Sequence, residues 1–175
     1  MKYVKTFEQF EVSEGFKYHM ENGLDITESV FRIGSDAYRE LFEETKKYWD
    51  EGNIILSDKA AWMAKNLEVG IDAVDKDGKK VELDTPKRGG DKKFYVYHNS
   101  GKKDNDGKII GTKIEWGDTS GLSIKNDDPK AAASFWARQQ CDLKKKMDPT
   151  TPGFWACYAA SLFNKQLGLT SDAPW

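Results

Sequence analysis

A change of hydrophobic period partway along this 175-residue chain constrains its fold more than any other feature. Between Asp36 and Asp50, Tyr38, Leu41, Phe42, Thr45, Tyr48 and Trp49 recur at the 3.6-residue spacing of a helix with one covered face. Further on the spacing shortens to two. Lys80-Val81-Glu82-Leu83-Asp84 alternates, and Ile110, Thr112, Ile114 and Trp116 alternate with Lys113 and Glu115, as a half-buried strand does. After residue 128 helical spacing returns. Helices segregated from strands along a chain define an α+β protein. The expected architecture is N-terminal helices followed by a small antiparallel β-hairpin sheet and two C-terminal helices.

Punctuation residues set the boundaries. Ser35 is placed to cap the helix 36–50, Lys46 and Lys47 suit the negative end of its dipole, and Gly52 stops it. Thr27 to Ile33 predicts a short helical turn ending at Gly34. Ser57 or Asp58 caps a second helix through Ala60, Ala61, Trp62, Met63, Ala64 and Leu67. Asp77-Gly78 signals a turn before the strand 80–84, and Pro86 with Gly89-Gly90 marks a loop and a boundary between subregions. Phe94 to His98 reads as a strand with rings on both faces, and Asn99 to Gly107 as a hairpin loop with its tight turn at Asp106-Gly107. Gly117 to Gly121 is a turn, and Leu122–Ile124 is extended. Asp128-Pro129 opens a helix running to about Cys141. Pro149 and Pro152 break the chain before a last helix from about Gly153 to Leu167. Residues 1–15 form an amphipathic segment with Tyr3, Phe7 and Phe10 on one helical face, ended by Gly15. The expected organisation is 1–15, a helical subregion 16–85 with a short strand, and 86–175, the last two packed as one unit.

Net charge is −2, but the charge is unevenly spread. Residues 1–75 hold 9 basic and 16 acidic side chains, whereas 76–113 hold 11 basic and 6 acidic. A local basic excess suits nucleic acid or an acidic partner, or a solvated lysine-rich hairpin. Six Trp, seven Tyr and nine Phe can cover much apolar area with few residues. No stretch approaches the ~20 apolar residues that span a bilayer, so no membrane partner is expected. The opening residues lack the apolar run of a secretory signal, and a reducing, cytoplasmic origin is expected.

Motifs for catalysis are not found. There is no phosphate-cradling glycine loop ending in Lys-Ser/Thr, no dinucleotide fingerprint, and no pair of histidines one helical turn apart. Asp75-Lys76-Asp77-Gly78 and Asp104-Asn105-Asp106-Gly107 hint at calcium loops but lack the closing Glu, and read as turns. Gly117-Asp118-Thr119-Ser120-Gly121 reads as a turn for want of a matching histidine. His19 and His98 read as surface or packing residues. Cys141 and Cys157 read as two buried free thiols, with a contact between the last two helices or a shared zinc as alternatives. No catalytic residue, metal or cofactor is expected. What remains is surface. Lys87, Arg88, Lys92, Lys93, Lys102, Lys103 and Lys108 surround Phe94, Tyr95 and Tyr97, a mixture that meets phosphates and stacks bases, or packs a small sheet. Phe7, Phe10, Phe135, Trp136, Phe154, Trp155 and Trp175 are rings of the kind that dominate protein interfaces.

Gly89-Gly90-Asp91-Lys92-Lys93-Phe94-Tyr95-Val96-Tyr97, Trp116-Gly117-Asp118, Asp128-Pro129, Ser134-Phe135-Trp136-Ala137-Arg138, Cys141 and Pro152-Gly153-Phe154-Trp155-Ala156-Cys157 together resemble a small domain of uncharacterised tailed-phage proteins. Relatives carry histidine where this chain has Gln139. Ser29-Val30-Phe31-Arg32-Ile33-Gly34-Ser35-Asp36-Ala37-Tyr38 is also phage-like. Met1-Lys2 through Thr6-Phe7-Glu8-Gln9-Phe10 is similar to capsid-targeting peptides of T-even-like phages, with Val12-Ser13-Glu14 at the place of the cleavage triplet. An N-terminal helix docking on its own domain is the other reading of these residues. The resemblance implies a non-enzymatic structural protein of the phage capsid or virion, assembled in the host cytoplasm and held by other virion proteins. Alternatives are a nucleic-acid-associated phage protein using the hairpin around Lys87–Lys113, and a host-takeover factor.

Overall fold

A computed structural model describes residues 2–3, 11–117, 128–141, 143 and 147–167. In chain order they form β1 (Lys2–Tyr3), α1 (Glu14–Glu21), α2 (Asp36–Asp50), β2 (Ile54–Ile55), α3 (Asp58–Asn66), β3 (Asp72–Val74), β4 (Lys80–Glu82), β5 (Lys87–Arg88), β6 (Phe94–Lys103), β7 (Ile109–Trp116), α4 (Pro129–Gln139) and α5 (Pro152–Leu167). The fold is α+β. Two compact units divide the chain at Gly70–Ile71, upstream of the loop at Pro86–Gly90 where a boundary is expected.

The first unit is built on α2, whose ends behave as the sequence dictates. The Ser35 hydroxyl accepts from the Tyr38 N–H. At the other end Gly52, at φ 71°, lets the Asn53 N–H reach the Tyr48 carbonyl and its own N–H reach Trp49, closing the helix. Tyr38, Leu41, Phe42, Thr45 and Tyr48 are buried along one stripe. α3 is capped by Ser57, whose hydroxyl accepts from Ala60. Residues 27–33 make turns rather than the expected helical turn. Tyr3, expected on a helical face, lies in β1 and pairs with Ile54 of β2. Phe7 and Phe10 lie outside the described residues.

Gly15, expected to end a helix, sits inside α1. A side chain there would bring a Cβ to 2.7 Å from the Phe31 ring, so glycine serves close packing rather than a break. Ser13 caps α1, and Glu44 of α2 in turn accepts from both the Ser13 N–H and its hydroxyl.

The second unit holds a sheet of order β4-β3-β7-β6-β5. It is mixed rather than antiparallel throughout, because β3 runs parallel to β7 at Val74–Ile110. β3 is unforeseen; it pairs with β4 across the Asp77-Gly78 turn. Beyond β4, Leu83 bridges to Tyr97 of β6, and the Asp84 N–H donates to the Tyr97 carbonyl at 2.7 Å. The order β4-β3-β7-β6 therefore curls back to the strand from which it starts. Ala73, Val81 and Leu83 fill the inside of this curl, with Ile71, Tyr97 and Ile109 against them. On the opposite face Phe94, Val96, Ile114 and Trp116 are buried, and Trp155 of α5 stacks on Trp116 at 5.7 Å between centroids. Thr112, expected to point inward with Ile114 and Trp116, is exposed.

α4 starts as expected, with the Asp128 carboxylate accepting from Lys130 and Ala131 and Pro129 in the first turn. No described side chain of α4 is buried. Residues 118–127, which include most of the expected turn and the extended piece at 122–124, lie outside the described residues.

Candidate macromolecule-binding surface

The hairpin of β6 and β7 carries the basic residues singled out from the sequence. Its turn is Asp104 to Lys108. The Gly107 N–H donates to the Asp104 carbonyl, Gly107 has φ 80°, and the Asp104 N–H reaches the Lys108 carbonyl. The Asp104 carboxylate accepts from the Asp106 and Lys108 N–H groups. The turn at Asp75–Lys79 repeats the pattern, with Asp75 accepting from Asp77 and Lys79 and Gly78 again at φ 80°. Both expected calcium look-alikes are thus turns whose acid serves the backbone. Among the described residues no group of three or more His, Cys, Asp or Glu could hold a metal ion.

The seven basic residues divide between two places. Lys102, Lys103 and Lys108 stand exposed at the hairpin tip, and no residue from Gly101 to Lys108 is buried. Lys87, Arg88, Lys92 and Lys93 lie at the other end of β6, around edge strand β5. Nine residue steps of extended chain put Lys103 roughly 30 Å from Phe94. Several basal cations already have partners. Lys87 pairs with Glu82 at 3.0 Å, and Arg88 and Lys93 sit over the Phe94 ring at 5.2 and 5.9 Å. Neighbouring Lys113 lies over Tyr95 at 5.2 Å and meets Glu115 at 2.8 Å. The hydrogen bond to Glu115 raises the Lys113 pKa; the same bond, aided by the Asp91 N–H, lowers that of Glu115. Phe94 is fully buried and Tyr97 packs inside the curl, so neither ring is open to a base; Tyr95 is half-buried. Burial, then the Asp75 charge, raises the Tyr97 pKa.

The expected docking rings fare differently from one another. Phe154 and Trp155 are both 0 % exposed and belong to the core, so they offer a partner no surface. A helix pattern shows that two rings are adjacent, not which of them the sheet covers. Phe135 and Trp136 on α4 are half-buried, and Trp136 meets Tyr158 edge-on at 5.3 Å. Trp175, with Phe7 and Phe10, lies outside the described residues.

Cys141 and Cys157, expected as free thiols, form a disulfide that joins the end of α4 to α5, with Cα atoms 5.6 Å apart. The Tyr158 hydroxyl donates to the Cys141 carbonyl beside it. No thiol is left there to bind zinc. His19 is the packing histidine expected, and it is fully buried. Its Nδ1 faces the Gly15 carbonyl at 2.7 Å, so Nδ1 carries the proton, and Nε2 accepts from the Ser29 hydroxyl and the Val30 N–H.

One pairing has no sequence signal. His98 Nδ1 lies 2.6 Å from the carboxylate of Asp84, which is 0 % exposed and left-handed at φ 46°. The bridge between Leu83 and Tyr97 sets this register, and nothing local in the sequence marks it. Asp148 feels His98 too. Its pKa is lowered first by the Thr150 hydroxyl, then by the Thr150 N–H and the His98 charge.

No helix among the described residues is long and apolar enough to cross a membrane. Comparison with known proteins found no matching family model, curated protein or solved structure.

Proposed function

We propose that this chain is a non-enzymatic phage protein of the virion or its head, acting through contacts with other virion proteins. The observation that carries the reading is α4. It is an eleven-residue helix with no described side chain buried, yet it presents Phe135 and Trp136 half-covered. Helices of this length are marginal alone in water, so tertiary or partner contacts must hold them. Here the Cys141–Cys157 bond and the Trp136–Tyr158 contact fix the helix at one end. Half-open aromatics on a tethered helix are suitable interface anchors. The resemblance to tailed-phage sequences supports the same reading, as does the engagement of both histidines and both cysteines in internal contacts.

Targeting to the capsid by the first residues belongs to the same proposal. A protease cutting after Glu14 needs extended chain, whereas Ser13 is held by Glu44 and Glu14 begins α1. Cleavage therefore requires that clamp to open first. Mass spectrometry of purified particles tests the proposal. The chain should be present, and Phe135→Ala should lower its incorporation while circular dichroism shows the helical content unchanged. Absence from particles, with capture of a host enzyme from lysate instead, overturns it in favour of a host-takeover factor.

A further inference from the structure

We infer that the β6–β7 hairpin binds nucleic acid through its phosphates, with Lys102, Lys103 and Lys108 at the tip and Lys92 at the base as the principal contacts. This goes beyond docking through α4 and does not depend on it.

The first ground is availability. Lys92, Lys102, Lys103 and Lys108 are exposed, and none forms a close ion pair among the described residues, whereas Lys80, Lys87 and Lys113 do; the charge of Lys92 is felt by Glu115. At the tip the Asp104 carboxylate is turned to the backbone, accepting from the Asp106 and Lys108 N–H groups, and three lysines stand against two acids.

The second ground is shape. The tip and base clusters lie roughly 30 Å apart along β6, too far for a single phosphate or a compact acidic side-chain cluster to meet both. A polymer with a regular charge every few ångströms along its length meets both at once. The third ground concerns how it binds. Phe94 and Tyr97 are committed to packing and Lys113 covers Tyr95, so base stacking is not offered. The contact is electrostatic and indifferent to sequence.

One rival account is that these lysines guard an open strand edge. On β6 the curl's bridge falls at Tyr97, while β7 is paired with Val74 at Ile110, so this account concerns the outer side of β6 toward the tip, where charge discourages edge-to-edge association. That account is indifferent to the sign of the charge; phosphate binding is not. Charge reversal separates them.

The test is fluorescence anisotropy of labelled 20-nucleotide single strands and duplexes of mixed sequence, titrated with the full chain from 50 to 200 mM NaCl. Four phosphate contacts predict a fall in duplex affinity of roughly 100-fold over that range. K102E/K103E should weaken binding at least 10-fold at 50 mM and reduce the log–log salt slope by about 2. K17E/K65E, which makes the same change of charge at exposed sites elsewhere, should leave binding nearly unchanged. Circular dichroism and gel filtration establish that each variant is folded and dispersed. The inference is overturned by no binding at 50 mM, by a flat salt response, or by equal loss in both variants. It is also overturned if polyglutamate or phosphatidylserine vesicles bind as tightly as the oligonucleotides.

Discussion

Gly111 and Asp25 show how much of each unit hangs on single atoms. Gly111 lies where the curl is narrowest. A Cβ there would stand 3.2 Å from Leu83 Cδ2, 3.2 Å from Tyr97 Cβ and 3.4 Å from Val81 Cγ2. Gly111→Ala should therefore cost about 1–3 kcal/mol through overpacking, read as a lower urea midpoint. Asp25 is buried, and its carboxylate accepts from the Thr27 N–H, the Thr27 hydroxyl and the Ser57 hydroxyl. Burial alone raises its pKa, but these hydrogen bonds outweigh burial and leave it below its ordinary value of 3.8. The folded state thus releases this proton more readily than the unfolded chain. The resulting stability is complete above the unfolded value and is lost as pH falls through the folded one. Urea unfolding from pH 7 to pH 2 should show this acid loss in the parent chain and a flatter acid limb in Asp25→Asn. The nearby Lys59 ammonium has its pKa lowered by burial, against the opposing charges of Asp25 and Glu28, so Asp25→Asn should lower it further.

At the scale of elements, the capping serines differ in what else they hold. Ser35 serves only the first turn of α2 among its described bonds, so Ser35→Ala should cost about 1 kcal/mol. Ser57 caps α3 and also donates to Asp25 at 2.6 Å. Ser57→Ala should cost about 2–3 kcal/mol, because a buried carboxylate loses a donor as well. Equal losses from the two variants in denaturant titrations would show that the Asp25 contact contributes nothing. Elements bounded by local chemistry were legible in the sequence: α2 between Ser35 and Gly52, α4 behind Asp128-Pro129, and both Asp-Gly turns. Those fixed by distant partners were not. β3 is three residues long and exists because β4 and β7 flank it. α1 contains a glycine that is there for the ring of Phe31, which no periodicity reveals. Of the candidate surface, the exposure of the tip lysines followed from turn signals. The loss of Phe154 and Trp155 to the core depended on which helix face meets the sheet, and a helical wheel does not carry that information.

The whole molecule is divided at Gly70–Ile71, and the second unit is where covalent and noncovalent structure meet. The cysteines lie 16 residues apart, and closing a loop of that size stabilises by about 3 kcal/mol on the chain-entropy model. A dithiol reductant should lower the melting temperature and also release α4, none of whose described side chains is buried. The red shift of tryptophan emission on heating should begin at a lower temperature with reductant than without it. A single unchanged transition under reduction would show that α4 is held by packing alone. The same bond has a bearing on how breakage would be detected. A peptide bond hydrolysed anywhere between Cys141 and Cys157 leaves both fragments on one covalent thread, heavier by a single water. Such a nick is silent on a gel run without reductant and appears as two bands once reductant is added. A cut after Glu14 sheds its piece under either condition.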